Sequence, residues 1–213
     1  MKTIRKAVRK EHKDFTSAVL RARQLYGRIS NGWLLVGTKF RALRNPDKRD
    51  IAQFLFFDVA SQWEAFSTSI FELELKRRYG VRPDVALRVM SDVDGRGFIS
   101  GYARPDTIRE RAEVLLSKNS PWVNLRNALG EQVYKYLFYS YRIRNFIAHA
   151  GVGKGKNDFH KLLDELAIPK SERQGLSAGR LLLEYRDSKG KIWFDALLDN
   201  YLVAADFIRR NTR

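Results

Sequence analysis

Between Ile51 and Leu75 the chain carries no Lys or Arg, although 40 of its 213 residues are of those two types. Within that stretch Phe54, Leu55, Phe56, Phe57, Val59, Trp63, Phe66, Ile70 and Phe71 leave almost no polar face on a helical wheel. A helix that is apolar nearly all round must be surrounded by other elements. The segment from Ile51 to Tyr79 is therefore expected to be the central core helix, closed by Gly80, with Lys76, Arg77 and Arg78 in the last turn. Asn45-Pro46-Asp47 breaks whatever precedes it, and Asp47 or Asp50 supplies capping chemistry for the restart.

The flanking segments read mostly as helices. Phe15, Ala18, Val19, Ala22, Leu25, Tyr26 and Ile29 recur at helical spacing over residues 12–29, with Lys and Arg on the other face. Trp33 to Phe40 reads as a second short buried helix. A short helix follows Pro83, then a Gly-rich loop (Asp94-Gly95-Arg96-Gly97, with Gly101), a helix from Pro105 to Ser117 and a turn at Ser120-Pro121-Trp122. Glu131 to Ala150 is the second long helix, stopped by Gly151, and a basic flexible loop, Gly151 to Lys156, leads into a helix over 158–166. Leu181 to Tyr185 and Lys191 to Phe194 flank a polar turn and suggest a small β-hairpin, before a last amphipathic helix over 195–209. The expected fold is all-α: an antiparallel bundle with two long core helices in a single domain, 1–213. Residues 1–46 form a basic helical region that packs on a 47–213 core.

The formal charge is +16, and residues 1–50 alone hold 14 Lys or Arg against four Asp or Glu. Such a field favours polyanions, nucleic acid first. Two readings of the N-terminal set stay open, contact with an RNA backbone or the solvated face of a helix. With no cysteine there is neither a disulfide nor a thiolate metal site. No apolar run reaches the length of a membrane span, and no apolar segment with a cleavage site follows the basic N-terminus. A cytoplasmic protein without a membrane partner, a metal or a cofactor is expected. Gly151 to Lys156 lacks the spacing of a nucleotide phosphate loop and follows a helix instead of a strand, which excludes an NTPase reading.

On the wheel of the second long helix, Tyr136, Tyr139, Ile143, Phe146 and Ile147 share one face, which must be core. The opposite face begins with Tyr134, Leu137, Phe138 and Tyr141 and continues into Arg144, Asn145, Ala148 and His149. Asn145 and His149 are one turn apart, as are Tyr141 and Asn145. A guanidinium and an imidazole are the two groups a metal-free phosphodiester cleavage needs, one as a fixed cation and one as a proton shuttle near neutral pH. Pairing of two copies through the aromatic half of this face would bring two such polar ends to a shared cleft.

The run Arg144-Asn145-(three residues)-His149 resembles the Arg-x4-6-His pattern of HEPN domains (higher eukaryotes and prokaryotes nucleotide-binding), and Trp63-Glu64-Ala65-Phe66 is similar to a segment common in bacterial members. The resemblance covers most of residues 48–210, with the Arg-to-His run as its specific part. It implies a dimeric, metal-independent ribonuclease of toxin–antitoxin or antiviral-defence type, in which the ribose 2′-OH attacks and a 2′,3′-cyclic phosphate is left. Carried onto this chain, His149 is the general acid/base, Arg144 the transition-state cation and Asn145 the orienting amide. Glu64 and Tyr141 are the supporting residues. Arg142, Lys154 and Lys156 are the expected RNA contacts. RNA and a second copy are the expected partners, with an antitoxin or defence complex beyond them. The family also has members without activity, so a non-catalytic RNA- or partner-binding protein is the alternative.

Overall fold

The computed structural model describes residues 2–36, 38–92, 104–149 and 151–212. The expected Gly-rich loop at 94–101 lies outside them, as does Ala150 at the expected end of the second long helix. Among the described residues 78% helix content with nine helices makes the fold all-α. The order is α1 (Lys2–Ile29), β1 (Trp33–Val36), β2 (Lys39–Ala42), α2 (Asn45–Tyr79), α3 (Pro83–Asp92), α4 (Pro105–Leu115), α5 (Leu125–Ala148), α6 (Gly153–Glu165), α7 (Lys170–Arg173), α8 (Ala178–Glu184) and α9 (Trp193–Asn211). No helix of the described residues is long and apolar enough to cross a membrane.

Two compact units assemble from non-contiguous segments: 1–17, 61–138 and 200–213 form one, and 18–60 and 139–199 form the other. The first has an aromatic centre. Phe15 of α1 stacks on Phe66 at 5.3 Å between centroids and meets the edges of Trp63 at 5.6 Å and Tyr201 at 6.0 Å. Each such ring pair contributes about 0.5–1.5 kcal/mol beyond its buried area. In the same unit α3 buries Ala86 and Met90, α4 buries Ile108 and Ala112, and the early part of α5 buries Tyr134 and Leu137. The Tyr134 hydroxyl donates to Asp106 Oδ1 at 2.6 Å, and burial pushes that phenol above its ordinary value. Buried Glu74 accepts from Ser120 Oγ at 2.5 Å, and burial raises its carboxyl above the usual range.

The second unit packs α6 against the end of α5, with Phe146 stacked on Phe159 at 4.0 Å and 16°. Tyr139 meets Trp193 edge-on at 5.7 Å. Arg23 of α1 bonds Asp195 Oδ1 at 3.2 Å and Asp199 Oδ1 at 2.6 Å, both on the start of α9. Asp47 joins the strand pair to α2: Arg41 donates to both its oxygens at 2.7 and 3.2 Å, and the Arg44 N–H adds a third bond at 2.8 Å. Those donors hold its carboxyl down at about 2.

The structure corrects several expected elements. Helix α1 begins ten residues before His12, because Val8 also joins the buried face. Trp33 to Phe40 is not a buried helix but most of an antiparallel strand pair, in register Trp33↔Ala42 to Val36↔Lys39, and Trp33 is 68% exposed. Phe54, expected in the core, is 70% exposed, so α2 keeps one open stripe. The hairpin before the last helix shrinks to one antiparallel bridge, Arg186↔Ile192, since Leu181 to Glu184 is helical in α8. Ser177 caps that helix, accepting from the Arg180 N–H at 3.1 Å. The flexible loop after His149 is also much shorter than expected, because α6 begins at Gly153.

Candidate functional site

From Gln132 to Asn157 the chain holds no Asp or Glu. The second half of this stretch is the end of α5 and the start of α6, both within the second unit. Helix α5 has a non-helical break at Gly130 (φ +77°), so its straight part runs from Glu131 to Ala148. Its end is tightly fixed. The His149 N–H bonds the Asn145 carbonyl at 3.1 Å, and the Val152 N–H bonds the His149 carbonyl at 3.0 Å. Gly151, at φ +68°, donates to the Phe146 carbonyl at 2.9 Å. That left-handed conformation suits glycine, and a Cβ there would meet the Phe146 ring at 3.0 Å.

His149 is exposed at this corner, on a backbone anchored from both sides. Val152 precedes α6 as its N-cap and supplies no side-chain cap bond, so the first-turn amides face the same corner with the positive end of the helix dipole. Lys154 and Lys156 are exposed on that turn. Gly155 makes the approach possible: a Cβ there would stand 2.7 Å from the Asn145 carbonyl oxygen and 3.3 Å from His149 Cβ. Any other residue would force α6 away from the Arg-to-His segment.

Arg144 and Asn145 are joined by a hydrogen bond from Arg144 Nη1 to Asn145 Oδ1 at 3.2 Å. The Arg144 guanidinium lies 5.8 Å from the centroid of the Phe57 ring and is half-buried, while Asn145 is buried. The Asn145 amide and the Phe57 ring face are two of the contacts that limit its motion. A cleft of about 300 Å³ opens beside this segment, lined by Gln53, Phe146, Ile147, Gly151, Gly175 and Ser177 among others. Its lining includes Phe146 and Ile147 of the motif and neither Arg144 nor His149.

The other expected site residues divide. Tyr141 is half-buried one turn before Asn145. Arg142 is mostly buried and committed to Glu165 Oε1 at 2.7 Å, which leaves it poorly placed for RNA. Glu64 sits half-buried in the first unit, where its carbonyl accepts from Thr68 Oγ1 at 2.8 Å. Tyr134 and Leu137, the residues assigned to a two-fold contact, are buried in the first unit of the chain itself. Sequence reasoning missed Phe57 as the surface under Arg144, and Gly155 as a packing residue. The signal for Gly155 was its place in a glycine-rich run, which alone reads as loop. Among the described residues no group of three or more His, Cys, Asp or Glu side chains could hold a metal ion.

No protein-family model, curated protein or solved structure matches this chain.

Proposed function

We propose that this protein is a metal-independent endoribonuclease of the HEPN type that acts on RNA as a homodimer, in a toxin or antiviral-defence setting. One observation carries the reading: an exposed histidine on a doubly anchored backbone turn, beside an uncapped helix N-terminus and two exposed lysines in an acid-free stretch. In the proposed reaction His149 takes the proton from a ribose 2′-OH as its oxygen bonds the adjacent phosphorus. The P–O5′ bond breaks, the 5′-oxygen takes up the proton that His149 accepted, and a 2′,3′-cyclic phosphate remains. Charge builds on the non-bridging oxygens at the crowded phosphorus, and Arg144 supplies the cation for it. Asn145 holds the guanidinium, and Lys154, Lys156 and the α6 amides take flanking phosphates. In the homodimer the second copy contacts residues other than Tyr134 and Leu137.

The burial of Arg144 against Phe57 also favours a second reading, a non-catalytic RNA- or partner-binding protein in which this arginine serves packing. Incubation of wild type and His149→Ala with RNA in EDTA, with analysis of product ends, separates the two. Cyclic-phosphate ends made by wild type and lost in the variant are expected. Equal RNA binding by both proteins with cutting by neither would establish the binding module instead.

A further inference from the structure

The start of α1 and the end of α9, both in the first unit, enclose a cleft of about 340 Å³ lined by Arg5, Val8, Arg9, Arg209, Arg210 and Thr212. Four arginines line this one concavity together with buried Val8 and buried Thr212. Two of them are explained by the fold. Arg209 Nη2 and Nε bond Asp206 Oδ1 at 2.6 and 3.1 Å, and Arg210 Nη2 approaches Oδ2 at 2.6 Å. Both also lie in the last turn of α9, where a helix favours cations.

Arg5 and Arg9 are different. Both are exposed, and among the described residues neither has an ion pair or hydrogen bond. They stand one turn apart on α1, where like charges repel, and the first turn of that helix carries no acid to offset them. Among the described residues, Asp206 is the carboxylate paired with this set, and of the four arginines it engages Arg209 and Arg210. Both side chains are exposed on α1, and an anion in the cleft would turn their mutual repulsion into shared attraction. The volume suits a small ligand, and paired forks match the oxygens of phosphoryl groups.

We propose that this cleft binds an anion carrying two or more adjacent phosphoryl groups, with Arg5 and Arg9 as its principal contacts and the Asp206-oriented Arg209 and Arg210 as the opposite wall. The assignment does not rest on the ribonuclease reading, since none of these residues belongs to the Arg144–His149 segment.

Calorimetric titration of the full chain with inorganic triphosphate tests it. Wild type binds one equivalent, Arg5→Ala/Arg9→Ala loses at least tenfold in affinity, and Arg9→Glu abolishes binding. Arg28→Ala/Lys189→Ala removes the same charge from exposed positions in the other unit and stays within twofold of wild type. Wild-type affinity in Arg5→Ala/Arg9→Ala, or an equal loss in the Arg28/Lys189 control, would overturn the proposal. Displacement of triphosphate by a nucleoside triphosphate identifies a free nucleotide as the source of the phosphates. Displacement by a 5′-triphosphorylated RNA octamer, and not by its 5′-hydroxyl counterpart, identifies an RNA end. Displacement by neither overturns the site.

Discussion

The two arginine-rich places in this molecule treat their charges in opposite ways. At the end of α5 the cations are already in use: Arg144 bonds Asn145 and lies against Phe57, and Arg142 bonds Glu165. At the junction of α1 and α9, Arg5 and Arg9 bond nothing among the described residues. A restrained cation suits a reacting group, because its position costs no reorganisation when charge develops. An unengaged pair suits capture of a ligand, which then supplies the missing counter-charge. On the two proposals made above, the contrast is between a place for chemistry and a place for binding, although each carries several positive side chains.

The largest effect expected is on cleavage. His149→Ala should lower the rate by about 10²–10⁴ with little change in Tm, since an exposed imidazole contributes little to packing. Arg144→Lys should lower it too while retaining the positive charge, because an ammonium cannot reproduce the planar contact with Phe57. A rate unchanged by either substitution would remove the chemical half of the contrast. Next comes the close approach of α6. Gly155→Val should cost about 1–3 kcal/mol by overpacking, read as a lower Tm, and should reduce cleavage together with stability. A Tm equal to wild type would show that the two helices separate easily.

A smaller effect distinguishes engaged from open cations within the same unit. Lys154→Ala/Lys156→Ala should flatten the salt dependence of RNA affinity by about 0.7 per lost phosphate contact on a single strand, measured by filter binding across salt concentrations. Arg142→Ala should leave that slope unchanged, because its partner is Glu165. The reverse pattern would mean that the ion pair opens to RNA. The smallest effect concerns a group in neither place. Burial raises the Glu74 carboxyl in the folded state, so its ionisation removes stability as pH rises from the ordinary carboxylate range through the raised value. Glu74→Gln should therefore raise Tm at pH 7 relative to wild type, and the gain should fade toward pH 4. A pH-independent difference would assign the effect to the Ser120 hydrogen bond instead.

Legibility in the sequence followed the length of each apolar pattern. Helix α2 was visible because 25 residues without a basic side chain admit few other structures, yet Phe54 shows that such a pattern does not say which stripe remains uncovered. The short elements differ from their sequence reading, Trp33 to Phe40 as helix and Leu181 to Tyr185 as strand, because short apolar runs do not carry a period. For α8 a better signal was present in Ser177, a capping residue just before the run. The beginning of α6 defied its composition: packing of Gly155 on Asn145 and of Phe159 on Phe146 holds a helix where glycine and lysine suggest a loop. The site residues were legible as types at helical spacing. Their commitments were not, since Arg142 bonds Glu165, 23 positions later in the chain. Arg5 and Arg9 were visible only as charge, because α9 lies almost 200 residues away in sequence.

The uncovered indole on the first strand has a practical consequence. Trp63, Trp122 and Trp193 are sealed at 3%, 0% and 6% exposure, whereas Trp33 stands at 68%. An aqueous quencher such as iodide will reach one fluorophore of the four in the native protein and all four once the chain unfolds. Steady-state emission alone can therefore report the integrity of every variant described above, without a label.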